Sequence, residues 1–598
     1  MIEPKCERTK SILVDDDFIN ALKNAFSGSK AERLPANSHY PLYIGEDLIS
    51  QLKSGDNQII WGRRGTGKTH LLKAFNQCIN EDKKNYSISY YISCDNIKFE
   101  TPIAIEFRND VEKMKYCARR TFKQFMRNLV NQLIDSYEEI LRKKEEYVEK
   151  NFTQKKQMKK KIDDVLIDML TNIEEGIPVV VDTSAEIRST DMRQKARSGG
   201  LEADVSLEIE KLSVKASNTV DFVWKGIKDK KVEITKVQNL AYEFSFQKFR
   251  ESLSCLLKAM EIENLYLCID ELWLIDDKST ISYQPLFLEY LRQTCFCIPN
   301  ISIKIASIRE TTKLNAKNTA EKNWGIQPGQ DIIELANLDS MRDSKDELVE
   351  KYIQILVSRI NYFSEKRRRE GISDILYDGE YVVSTIFSQK RYLETLIYLA
   401  HGLPRIILYV IRTCLANISH DLSRYYLHVY MLSAIIIDNF KDEKRASMPM
   451  NENSVYMIIH TYLLKKKEHF FLISTDQVKQ YQVDINNLLY TEIIHRIPSS
   501  LTPSNIMDTY KAYFIDSGKY LMLIKEKEPN SYDRVLNEFN LSVPNDLNEN
   551  YEKYVVDLNM VPNNFIECPS CSAAFNAKHP VYIKHHCCVT CGFDFEIE

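Results

Sequence analysis

The 598-residue chain is 44% hydrophobic and 27% charged, which fits a soluble globular protein and excludes wholesale disorder or collagen-like character. At roughly 100–200 residues per domain, the length predicts about three to five domains. A formal net charge of −4 excludes a basic footprint over the whole chain but leaves room for a local basic surface.

No run of about 18 apolar residues occurs, so no transmembrane helix is expected. The opening Met1-Ile2-Glu3-Pro4-Lys5-Cys6 lacks the apolar core of a signal peptide. A cytoplasmic location without a membrane partner is therefore expected. The 14 cysteines are then thiols or metal ligands, not disulfides. Five of them fall in the last 31 residues, and the others are scattered in apolar company as small buried hydrophobes.

In chain order, residues 1–40 read as a helical, partly ordered leader. Gln58-Ile59-Ile60-Trp61 is a short apolar run that stops at a glycine-rich turn, and residues 70–80 read as a helix. Residues 86–94 are rich in β-formers and read as a strand. Strand, turn, helix and strand open an α/β domain with a mostly parallel sheet. Residues 111–176 are helical, with apolar spacing at Phe122, Phe125, Leu129 and Leu133. Residues 201–217 alternate and suggest a hairpin, 240–260 return to helix, and 264–270 form a buried strand. Strands are also expected at 301–308 and 331–336, followed by helices from 345 to about 440. Residues 452–525 mix helices with a strand pair, Tyr510–Ile515 and Lys519–Ile524, turned at Asp516-Ser517-Gly518. A polar linker follows.

Gly62-Arg63-Arg64-Gly65-Thr66-Gly67-Lys68-Thr69 matches G-x-x-x-x-G-K-T. Glycines let backbone N–H groups curl around phosphates, Lys68 neutralises the β/γ oxygens, and Thr69 offers its hydroxyl to Mg²⁺. The helix that follows, with His70 in its first turn, aims its positive end at the anion. ATP and Mg²⁺ are the cofactors this implies. A metal carboxylate is then needed at the end of a neighbouring strand. Val179-Val180-Val181-Asp182 is one candidate. Leu265-Tyr266-Leu267-Cys268-Ile269-Asp270-Glu271 is the better one, with Asp270 holding Mg²⁺ and Glu271 polarising the attacking water. The 202 residues from Lys68 to Asp270 exceed what a minimal core needs, so an insertion at about 110–240 is expected.

Together with Gly402-Leu403-Pro404-Arg405, these motifs resemble the AAA+ class, and within it the origin-recognition and STAND-type ATPases. The resemblance covers about residues 40–440 without the insertion. It implies that Arg405 is the lid arginine that reaches the γ-phosphate. It also implies that Ser307 or Arg309, on the strand Ile303–Arg309, is the polar sensor. No arginine finger stands out, with Arg292 and Arg309 the nearest choices. A winged helix often follows the lid in this family. Residues 452–525 fit that order, and the run Lys465-Lys466-Lys467 is a candidate DNA contact, although winged helices also dock proteins.

Cys568-x₂-Cys571 and Cys588-x₂-Cys591 give four thiolates at two tight turns, suited to structural Zn²⁺. The expected architecture is a P-loop AAA+ core with a helical lid and an inserted helical and hairpin subdomain, then a winged-helix-like domain and a zinc ribbon. Its boundaries are 1–40 leader, 41–340 core, 341–445 lid, 446–530 winged helix, 531–560 linker and 561–598 ribbon. The expected function is ATP hydrolysis coupled to self-association and to assembly on DNA or a partner protein. The alternatives are a slow switch that recruits a separate effector protein, and a replication- or transposition-type DNA-binding ATPase. The resemblance extends to prokaryotic ATPases of anti-phage defence.

Overall fold

The computed structural model describes residues 15–26, 34–97, 110–175, 246–276, 282–317, 323–339, 345–371, 374–387, 389–417, 426–444, 454–497, 510–541, 543–544, 546–558, 565–570, 574–576, 580–588 and 592–595. Asp182 and the expected hairpin at 201–217 lie outside them. The chain divides into two compact units. One comprises Gly45–Trp61 and Lys68–Asn337; the other comprises Met1–Ile44, Gly62–Gly67 and Leu338–Glu598.

The first unit is built on a five-stranded sheet of β1 (Gln58–Trp61), β2 (Ile88–Ser93), β3 (Leu265–Asp270), β4 (Ile301–Ser307) and β7 (Ile333–Asn337). A small hairpin, β5 (Asn315–Lys317) with β6 (Asn323–Gly325), lies outside that sheet. The order is β2-β3-β4-β1-β7, and every pairing is parallel. Strands β1, β3 and β4 are buried along their whole length, as expected where a parallel sheet is covered on both faces. Lys304 breaks the apolar run of β4 without leaving its charge unsatisfied. Its Nζ donates to the carbonyls of Ser54 and Asp56 and to Gln58 Oε1 at 2.7–2.9 Å. Burial pushes this ammonium down to about 8.

The helix Lys68–Glu81 packs on β2, β3 and β4. The 33-residue helix Asp110–Arg142 buries Phe122, Phe125, Leu129 and Leu133 in the same core. This is the stripe that the apolar spacing predicts. The helices Phe152–Glu175 and Phe246–Met260 pack on each other beside it.

In the second unit one apolar core runs from Phe18 through the helices between Lys345 and Asn439 to Leu558. The expected leader contributes the helix Asp16–Ala25 to it, with Phe18, Ala21, Leu22 and Ala25 buried. Asp17 also receives the N–H groups of Glu365 and Lys366 at 2.9 and 3.1 Å, so this helix caps another one 348 residues away.

The expected pair of strands at 510–524 requires correction. Tyr510–Ile515 is a strand (β10), but Ser517–Lys527 is a helix. Asp516 Oδ1 accepts from the N–H groups of Gly518 and Lys519, an N-cap that starts a helix where a turn was expected. β10 instead lies between β8 (Phe470–Ser474) and β9 (Ile494–Arg496), antiparallel to both. The linker expected at 531–560 also packs. It begins within the helix Pro529–Glu538, it buries Leu536, Leu547, Tyr554, Val556 and Leu558, and the Val556 N–H donates to the Leu472 carbonyl. These apolar residues are spaced too widely to stand out from the Asn- and Glu-rich composition.

Candidate active site

Parallel pairing brings the carboxyl ends of neighbouring strands level. Trp61 pairs with Ser307, Ala306 with Asp270, and Asp270 with Ser93. In open α/β sheets this edge is where ligands bind. Asp270 ends β3 at 1% exposure. Its Oδ2 accepts from Thr69 Oγ1 at 2.6 Å and from Tyr91 Oη at 2.8 Å. Burial raises the Asp270 pKa; the two hydroxyls, the Lys68 charge and the Glu271 N–H pull it back. The expected metal pair, Thr69 and Asp270, is therefore in direct contact.

Glu271 follows in the left-handed region, at φ 57 and ψ 39. A non-glycine residue held there costs on the order of 1–3 kcal/mol, and such strain concentrates at functional sites. The conformation turns the chain away from β3, and Ser93 Oγ lies 3.5 Å from Glu271 Oε2. Ser307 is fully buried at the end of β4, with Oγ 2.6 Å from Thr312 Oγ1. Arg309 pairs with Glu334 at 2.6 Å and lies over the Trp61 ring, while Arg292 is held by Glu289. Both arginines considered for a sensor or finger role thus have partners within this unit.

The loop segment 62–67 and the lid belong to the other unit. Thr66 Oγ1 donates to the Arg63 carbonyl at 2.9 Å and closes a tight turn. A Cβ on Gly62 would meet Thr66 Oγ1 at 2.5 Å, so this position has no room for a side chain. Gly65 has φ +83, and a Cβ there would lie 3.0 Å from Arg405 Cβ. The Arg405 N–H donates to the Gly65 carbonyl at 3.3 Å. The Gly402-Leu403-Pro404-Arg405 turn is therefore seated on the glycine of the loop, with the Arg405 side chain running beside it. Arg64 is exposed, and Lys68 and His70 stand in the first turn of the following helix.

The side chain of Arg63, expected with the nucleotide ligands, is committed within the protein. It forms a two-pronged pair with Asp339, Nε to Oδ2 at 2.7 Å and Nη2 to Oδ1 at 2.8 Å. At this position the loop offers its backbone. Neither this pair nor the Tyr91 contact is marked in the sequence. Tyr91 lies 179 residues from Asp270 in sequence and Arg63 lies 276 from Asp339, so no local motif links them.

Near the C-terminus, Cys568 follows β11 (Phe565–Glu567), which pairs with β12 (Ala574–Asn576). Around Cys588 a second turn closes, with its N–H donating to the Phe593 carbonyl at 2.7 Å and the Gly592 N–H returning to its carbonyl. Cys568 and Cys588 are 0% and 2% exposed. Cys571 and Cys591 lie outside the described residues. Two buried thiols, each at a tight turn that opens a C-x₂-C pair, fit the donor chemistry of a zinc ribbon.

Residues 50–174 match the family described as the bacterial DnaA ATPase domain. Among solved structures, the chain is similar to the Walker-type ATPase PABY2304 of Pyrococcus abyssi. Identity is 13%, 88% of this chain and 99% of that chain are covered, and the TM-score is 0.31. It is also similar to Cdc6p from Pyrobaculum aerophilum, at 12% identity, 86% and 100% coverage and a TM-score of 0.27. No curated protein matches. The parallel sheet and the phosphate-loop sequence fit a P-loop ATPase core, and the match over residues 50–174 includes that loop. Among the described residues no helix is long and apolar enough to cross a membrane.

Proposed function

We propose that this protein hydrolyses ATP with Mg²⁺ and couples its nucleotide state to assembly on DNA. The observation that carries the reading is the contact of Thr69 with Asp270, with Glu271 one residue further on. Bound Mg²⁺ would supply charge neutralisation on the phosphate oxygens. Thr69 and Asp270 would hold it. Lys68 would balance charge on the phosphates, and Glu271 would orient the attacking water and take its proton. Arg405, from the lid turn seated on Gly65, would report the γ-phosphate, and Ser307 would act as the polar sensor at the end of β4.

DNA is the partner supported by the module at 454–527. Helix, β8, two helices, β9 and β10 follow one another, and the strands lie in the order β8-β10-β9. That order supports reading the module as a winged helix. Its second short helix, Gln482–Tyr490, exposes Gln482 and Asn487, amide side chains of the kind that read adenine edges. Lys465, Lys466 and Lys479 are exposed on the same module, as phosphate contacts require.

Glu271→Gln tests the reading. It should bind ATP within a few-fold of wild type while turnover falls about 100-fold or more, since a positioned base contributes that much. Turnover is measured with and without duplex DNA, and Asp182→Asn serves as the control and should stay within a few-fold. Unimpaired turnover in Glu271→Gln beside an inactive Asp182→Asn would place the chemistry at Asp182 instead.

A further inference from the structure

Arg63 is 8% exposed, and its guanidinium contacts three parts of one unit that are far apart in sequence. Beyond the pair with Asp339, Nη2 donates to the His401 carbonyl at 2.9 Å and Nη1 lies 2.6 Å from His495 Nδ1. Arginine only donates, so His495 Nδ1 is the acceptor and the ring proton sits on Nε2. That Nε2 faces Asp516 Oδ2 at 3.7 Å. Asp516 Oδ1 caps the helix Ser517–Lys527. The His401 ring stacks on His495 with centroids 3.7 Å apart, and its Nε2 accepts from the Ser517 N–H at 3.1 Å. His401, His495 and Asp516 are buried and have the composition of a metal site. Arg63 and Ser517 nevertheless take one nitrogen of each ring, and a guanidinium charge against His495 disfavours a cation there.

The three partners of Arg63 have distinct positions. Asp339 lies just after β7. His401 begins the turn that carries Arg405. His495 is in β9, beside the cap of a helix in the C-terminal module. We propose that Arg63 is a positioning residue that locks the phosphate loop to the lid turn and to β9, so that nucleotide binding and the placement of the C-terminal module are thermodynamically linked. Linkage is reciprocal, so a change at His495, 432 residues from Arg63, that breaks this contact alters nucleotide affinity. The proposal rests on the reading that the loop takes ATP, and it names the route by which that site would reach the DNA-binding module.

The test measures Mg-ATP binding by calorimetry on the full chain, with thermal melting alongside. His495→Leu removes the acceptor for Nη1, whereas His495→Asn keeps one near the position of Nδ1. Arg63→Lys keeps the charge and loses the fork. His495→Leu should weaken ATP binding about fivefold to tenfold, and His495→Asn should stay within about threefold. The double variant Arg63→Lys with His495→Leu should be little weaker than Arg63→Lys alone, since both break one interaction. Variants that melt earlier yet bind ATP with wild-type affinity well below their midpoints would overturn the proposal and leave a purely structural role. If the variants do not fold, hydrogen exchange in the wild type decides. Mg-ATP should slow exchange at Ile494–Arg496 and Ser517–Lys519, and no change in a protein that binds ATP would overturn the linkage. Failure of the wild type to bind ATP would instead refute the ATPase reading.

Discussion

His469 sits just before β8, where its ring lies against Phe514, Tyr520 and Phe539 with centroids 5.1–5.5 Å away. Burial pushes its pKa down to about 4, opposed by a hydrogen bond to the Asn540 backbone. In the unfolded chain an imidazole takes up its proton near pH 6.5. Between those values the unfolded state binds more protons than the folded one, so stability falls as pH falls. A shift of this size is worth up to about 3 kcal/mol, fully lost below pH 4. His469→Phe should remove that part of the slope. Denaturant midpoints at pH 7 and pH 4.5 check it, and the variant should lose less stability on acidification than wild type. Equal losses would mean that His469 is not the group responsible. At the same scale, the placement of Thr69 beside Asp270 at the end of β3 is legible in the sequence because each belongs to a short motif with a chemical reason for its spacing. Tyr91, Asp339, His401 and His495 carry no such local mark. Their contacts arise only where parallel strands come level, or where the lid turn lies against the loop.

Elements were legible where one physical signal dominated. The strands β1, β3 and β4 are short apolar runs, and their boundaries lie within a residue of the expectation. Within the helix Ser517–Lys527, the segment Lys519–Ile524 reads as a strand in the sequence because it is rich in apolar and aromatic residues that also suit one. Asp516 was the local clue, a capping residue that outweighs the turn reading of Ser517-Gly518. The same helix buries all of Ser517–Ile524, so it has no polar face to betray a helical period over those residues. Segment 529–558 shows the opposite failure. Its composition is polar, but its few apolar residues complete the core around β8, and Val556 adds a backbone hydrogen bond along that strand.

For the whole molecule, the expected lid and winged-helix domains share one core, which also takes in the helix Asp16–Ala25. This makes the C-terminal module a continuation of the lid and not an appendage on a linker. The segment proposed as a ribbon is smaller, with β11 and β12 of three residues each, too short a chain to build a core of its own. Metal binding would then supply its folding free energy. Purified protein should hold one zinc per chain, and chelation should abolish the ordered turns at Cys568 and Cys588. Absence of zinc by elemental analysis, or zinc retained after Cys568 and Cys588 are both replaced, would contradict the site.

The proposed activity requires a nucleotide held by the loop ahead of the helix Lys68–Glu81. Lys68 is 8% exposed, and its charge acts on Asp270. Its replacement removes the one side-chain cation of the loop assigned to the phosphates. The decisive measurement is calorimetric titration of Mg-ATP into the full chain and into Lys68→Ala. The wild type should bind at one site per chain, and the variant at least about tenfold more weakly, or about 1.4 kcal/mol. Equal affinity in the two proteins would contradict this.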